Sequence, residues 1–203
     1  MDCFWETYVT QKIAIRSATI LLAILSFSVG LGITQSQEKP QVRSPITVGH
    51  NPPLRVFAAV LPQIKAKSHV PILLPSELPQ PIAKAKHAVI GTAETDKYGI
   101  ALYFEREPDG GYFGFAASFG GVGKPNFRPQ ELPNVEPVNL THHLHGFFSA
   151  VSCSGSCAPA NLWWEQNGGL YHIQLMLNVN LSDQAQENAI VAVANSAILG
   201  GPR

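Results

Sequence analysis

The chain has 203 residues, 45% hydrophobic and 14% charged, with fourteen Lys plus Arg against fourteen Asp plus Glu. That length suits one domain with an extension. The charge balance supplies no basic stripe for a phosphate backbone, so nucleic acid is not an expected partner.

Residues 1–16 are polar and mixed, with Lys12 and Arg16 near the end. Residues 18–33, ATILLAILSFSVGLGI, are apolar and free of charge. A basic flank followed by an apolar core is the order of a signal peptide. The core is shorter than the roughly 20 residues that span a bilayer comfortably. Gly30, Gly32 or Ser36 offers a small residue for cleavage. An uncleaved N-terminal anchor and a buried helix are the alternatives. The reading is a signal peptide or anchor over 1–36, a linker over 37–50 with Pro40 and Pro45, and one domain over 51–203. The expected location is extracytoplasmic, secreted or periplasmic, with membrane contact only through an uncleaved N-terminal segment.

Asn51-Pro52-Pro53 reads as a helix start, because Asn caps and Pro is tolerated in the first turn. Val56, Phe57, Val60, Leu61 and Ile64 follow at helical spacing, and Pro62 should kink or end the helix. The next segment, VPILLPSELP over 70–79, is apolar but carries Pro71 and Pro75. It fits a sheet edge or an extended cover over the core better than a central strand. Strands are then expected at 88–92 and 98–105, with Tyr98, Ile100, Leu102 and Phe104 on one face. The sequence at 107–111, EPDGG, is a turn, and Phe113, Phe115, Ala117 and Phe119 form the next alternating face. Residues 120–137 read as a long Pro-rich loop. Further strands are expected at 138–140, 144–151, 160–165 and 170–177, the last two joined by Asn167-Gly168-Gly169. A closing helix capped by Ser182 or Asp183 carries an apolar stripe rich in Ala and stops at Gly200-Gly201. Long parallel crossovers are absent. The fold class is therefore α+β: an antiparallel sheet of about five to seven strands with an N-terminal and a C-terminal helix packed on it.

Of the three Cys, Cys3 would leave with a signal peptide. Cys153 and Cys157 remain, with three residues between them centred on Gly155, and an even count in an exported chain points to a disulfide. A redox pair and half of a metal site are the competing roles, and neither has the usual spacing or a second thiol pair.

VPILLPSELP, the stretch WEQNGGLYHI over 164–173, and the last helix with Glu187, Ile190, Ala194, Asn195 and Ser196 are similar to an uncharacterised family of small extracytoplasmic bacterial domains. That family is also found as the sensor-like part of membrane-bound anti-sigma and sporulation proteins. The Cys153 to Cys157 insertion departs from its pattern. The resemblance implies an exported or tethered domain for sensing or binding and carries no enzymatic activity.

Each chemical candidate has a duller counterpart. His143 and His145 would share one face of a strand and, with a distant carboxylate, hold a metal; exposed edge histidines are the plain alternative. Ser154 and Ser156 lack the nucleophile elbow and ordered partners. Glu105, Glu107 and Asp109 lie at a strand end, where solvated carboxylates are common. The glycines at 120–123 beside Lys124 do not match a phosphate loop. Two sequons, at Asn139 and Asn180, matter only in a glycosylating host. The aromatics carry more. Adjacent Trp163 and Trp164 must face opposite ways in a strand. An exposed Trp beside Phe147 or Phe148, with Tyr171 across the hairpin, would mark a binding surface for protein, peptide or glycan. The alternative is that a helix or the Pro-rich loop covers that face. The expected function is an exported, non-enzymatic binding or sensing domain with no cofactor. A small metal-dependent or hydrolytic enzyme and an assembly component of the cell envelope are the alternatives.

Overall fold

The computed structural model describes residues 52–203; the expected leader, linker and helix-capping Asn51 lie outside the described residues. Among the described residues nine strands form, each where apolar and polar residues alternate or a turn residue folds the chain back. They are β1 (His87–Glu94), β2 (Lys97–Arg106), β3 (Tyr112–Val122), β4 (Glu136–Asn139), β5 (His145–Ser149), β6 (Ser152–Ser154), β7 (Ser156–Ala158), β8 (Ala160–Gln166) and β9 (Gly169–Leu175). Seven of them make one sheet in the order β1-β2-β3-β9-β8-β5-β4, and β6 and β7 form a separate hairpin. Every pairing is antiparallel. The sheet is thus two meanders, β1-β2-β3 and β4-β5-β8-β9, joined edge to edge where β3 meets β9. The fold is α+β.

One face of the sheet carries the core. Tyr98, Ile100 and Leu102 on β2, Ala117 and Phe119 on β3, Tyr171, Ile173 and Leu175 on β9, and Leu162 and Trp164 on β8 are all buried. Helix α2 (Asp183–Gly200) packs here through Ile190, Val193, Ala194, Ala197 and Ile198. Its start is fixed by Ser182, whose hydroxyl accepts from the Ala185 N–H at 3.3 Å. Two polar residues of α2 hold neighbouring loops. Gln186, buried, accepts from the Val151 N–H at 2.8 Å and donates to the Leu181 carbonyl at 3.0 Å. Asn195 accepts from the Thr141 N–H at 2.8 Å.

The segment 70–75 is an extended cover with Val70, Ile72, Leu73 and Leu74 buried, and it forms no strand. Tyr98 pins it: the phenol accepts from the Leu73 N–H at 3.0 Å and donates to the Leu73 carbonyl at 3.3 Å. Burial raises the Tyr98 pKa, so the hydroxyl keeps its proton. Gly121 lies beneath the same contact. A Cβ there would stand 2.6 Å from the Tyr98 ring and 3.1 Å from Tyr171 and Val70.

The structure differs from the sequence reading in the first helix and in β3. The expected helix over Val56 to Ile64, kinked or ended at Pro62, is a 3-10 turn at Arg55–Phe57 and a short helix α1 (Leu61–Lys65). Pro62 opens α1 instead of ending its predecessor, because the first turn has no use for its missing N–H. The expected single face of Phe113, Phe115, Ala117 and Phe119 is broken. The register shifts by one residue, from Leu102 opposite Ala117 to Tyr103 opposite Phe115. A one-residue bulge redirects the side chains beyond it. Finally, β3 runs on to Val122, so the irregular connector spans 123–135.

Two hairpin tips each place two consecutive residues at positive φ. At the β8–β9 tip, Asn167 and Gly168 have φ of 52° and 77°. At the β4–β5 tip, His142 and His143 have φ of 58° and 59°, and the Leu140 N–H donates to the Leu144 carbonyl at 2.8 Å. Two positive-φ central residues define the turn that matches strand twist. Asn-Gly adopts it readily, whereas each His in the left-handed region costs about 1–2 kcal/mol. The disulfide joins Cys153 and Cys157, which face each other across β6 and β7, with Gly155 at φ 79° as the tip.

Candidate functional site on the outer face of the sheet

Strand alternation fixes what the second face displays. On β8, Ala160, Leu162 and Trp164 point into the core, so Asn161, Trp163 and Glu165 point away. Cross-strand register then builds two rows. One row reads Phe147, Trp163, His172, Gly120 and Gly99; the next reads Ser149, Asn161, Gln174, Ser118 and Ala101.

The second row is a hydrogen-bonded ladder across four strands. The Ser118 hydroxyl donates to Gln174 Oε1 at 2.8 Å, and Gln174 Nε2 donates to Asn161 Oδ1 at 2.9 Å. Asn161 Nδ2 donates to the Pro159 carbonyl at 2.8 Å and to Ser149 Oγ at 3.4 Å. His172 Nε2 lies 3.0 Å from Asn161 Oδ1. That oxygen only accepts, so Nε2 carries the ring proton and Nδ1 keeps a lone pair. The His172 ring stacks on Trp163 with centroids 4.9 Å apart and planes 7° from parallel. Burial there pushes the His172 pKa down to about 3, which keeps the ring neutral. Phe127, from the connector, lies 6.2 Å from Trp163 on the same side.

A second aromatic group sits toward the β2–β3 hairpin, beyond the bulge. Tyr103 lies 5.5 Å from Tyr112 and 6.1 Å from Phe115, and His87 lies 5.9 Å from Tyr112. The Arg106 guanidinium stands 5.8 Å from the Tyr112 ring centroid. Phe113 is 67% exposed and Tyr112 40%. Beside them Lys86 donates to Glu105 at 2.7 Å, which holds the Glu105 carboxyl below its usual range.

The aromatics singled out from sequence are thus divided between the faces. Phe148, Trp164 and Tyr171 are buried on the core side, where Trp164 and Tyr171 stack 5.4 Å apart, and a ligand cannot reach them. Phe147 and Trp163 lie on the outer face, Phe147 half-buried and Trp163 only 8% exposed beneath Phe127 and His172. His143 and His145 do not share a strand face, because His143 sits in the left-handed turn and only His145 belongs to β5. Among the described residues no group of three or more His, Cys, Asp or Glu is placed to hold a metal ion. The Cys153–Cys157 bridge and both flanking serines are exposed. A shallow cleft of about 370 Å³ at one end of the sheet is lined by His69, Asp96, Lys124 and Asn167 among others.

Sequence reasoning missed the ladder and the Tyr103–Tyr112 group. Ser118, Asn161, His172 and Gln174 come from three strands, and only the register brings them together. Their signal was the run of polar residues on the non-core phase of β8 and β9. Among the described residues no helix is long and apolar enough to cross a membrane. No family model, curated protein or solved structure significantly matches the chain.

Proposed function

We propose that this is an exported, non-enzymatic binding module that presents the outer face of its sheet to a ligand. The single observation carrying the reading is the asymmetry of the sheet. Among the described residues, α2 and the extended cover gather on one face. The other face carries an amide and hydroxyl ladder between two aromatic groups. Export is supported by the uncharged apolar stretch at 18–33 and by the disulfide, a bond favoured in oxidising compartments. The resemblance to extracytoplasmic sensor-like domains points the same way.

Two measurements test this. Fractionation of the tagged full-length protein, with mass analysis of the mature form, should place it outside the cytosol with Cys153 and Cys157 resistant to alkylation until reduced. Recovery in the cytosol with both thiols reactive would overturn export. In cells, a benzophenone side chain placed at Ser118 should give cross-linked adducts, and one placed at Glu187 on α2 should not. Equal labelling at both positions, or none at either, would overturn the choice of face.

A further inference from the structure

We propose that the outer face takes a neutral oligosaccharide, an assignment that rests on the binding reading above and names its ligand class.

The chemistry of the two rows narrows the ligand by elimination. Neither row contains Lys, Arg, Asp or Glu. The nearest charges stand at the margins: Glu165 with Lys97 and Glu94 at one end, where the last two pair with each other at 3.2 Å, and Lys86 with Glu105 beside Arg106 at the other. A phosphorylated or strongly charged ligand would meet no unspent counter-charge in the centre. An acyl chain or an apolar peptide fits no better. It would strip water from the ladder and leave its free valences unpaired, which is costly.

Those valences are specific. Among the described residues, Gln174 Nε2 has spent one of its two hydrogens, Ser149 Oγ accepts and its own hydrogen meets no acceptor, and His172 Nδ1 has a lone pair. Donors and acceptors alternate over a few ångströms, which is the pattern of vicinal hydroxyls. Aromatic rings flank the row on both sides, and sugar C–H faces pack on such rings. Gly99 and Gly120 leave the floor between the groups low, because no side chain rises there. From Gly99 to Tyr103 along β2 is four steps, about 13 Å at ~3.3 Å per residue, the reach of a short oligosaccharide.

The experiment uses the full-length protein and saturation-transfer NMR. The probes are cello-, malto-, manno-, xylo- and chito-oligosaccharides, with anionic oligogalacturonate and phosphatidylglycerol vesicles as contrasts. At least one neutral series should receive saturation and the contrasts none. Gln174→Ala and Phe115→Ala should each weaken that binding by about fivefold or more, as loss of one ligand contact of ~1 kcal/mol would. Ser118→Ala, a smaller change, serves if either variant unfolds. Silence of every neutral series, binding to a contrast instead, or unchanged affinity in folded variants would overturn the assignment. Digestion of the Ser118 cross-linked adduct separates the two readings. An adduct shortened by protease overturns the sugar and keeps the binding face, whereas no adduct at all overturns both.

Discussion

Trp163 and Trp164 are neighbours in the chain and lie on opposite sides of β8. Trp164 is sealed in the core against Tyr171, with the extended cover and α2 above the sheet. Trp163 is also almost hidden, but by a ring stack with His172 and a single Phe from a loop. The two reach low exposure by different means. One is held by many apolar neighbours in a close-packed layer, the other, among the described residues, by a few ring contacts on the outer face. The difference teaches that burial alone does not rank these residues. The number of elements that depend on each one does.

Truncation should separate them most sharply. Trp164→Ala should lose about 3–5 kcal/mol of stability in chemical denaturation, as for large aromatic truncations in a core. Trp163→Ala should lose clearly less, and equal losses would break the comparison. Next in size is Gly121→Ala, whose new Cβ would be driven into Tyr98, Tyr171 and Val70. Overpacking of that kind should cost about 1–3 kcal/mol, read as a lower denaturation midpoint. Reduction of the Cys153–Cys157 bridge should cost about 2 kcal/mol or less, because the loop it closes is so short. The far-ultraviolet circular dichroism of the sheet should survive it.

The smallest effect concerns His172. Its folded pKa, about 3, lies below the ordinary histidine value of 6.5. Its neutral form therefore supports the fold fully above pH 6.5, and that support is lost as pH falls toward 3. The melting temperature should drop between pH 7 and pH 5, and His172→Gln should flatten the slope. An unchanged slope would show that the ring stack does not shield His172 from water.

Much of the inner face was legible in the sequence, and little of the outer face was. Alternation at Tyr98, Ile100 and Leu102, and at Tyr171, Ile173 and Leu175, marks core strands because burial selects one phase of the pleat. Asn167-Gly168 marks its hairpin because that dipeptide suits two positive φ values. The β4–β5 tip also takes two positive φ values but with two histidines, so propensity gave no warning and His143 was expected in a strand. The bulge opposite Leu102 was equally silent, and it moved Phe113 and Phe115 out of the expected row. The ladder depends on register between strands far apart in sequence, such as Ser118 and Gln174, which local pattern does not encode. Pro62 was ambiguous because the same ring that breaks a helix interior is accommodated in a first turn.

The meeting of β3 and β9 has a mechanical consequence. It is the one seam in the large sheet that joins the two meanders, and the chain passes from one meander to the other only through residues 123–135. A nick in that stretch would sever the polypeptide without removing a rung of any ladder. The severed halves, each a meander with its own share of the covering layer, would then have a six-residue-pair docking edge ready for one another. The architecture is in this sense already divided, and a split reporter cut there would find its partner along β3 and β9.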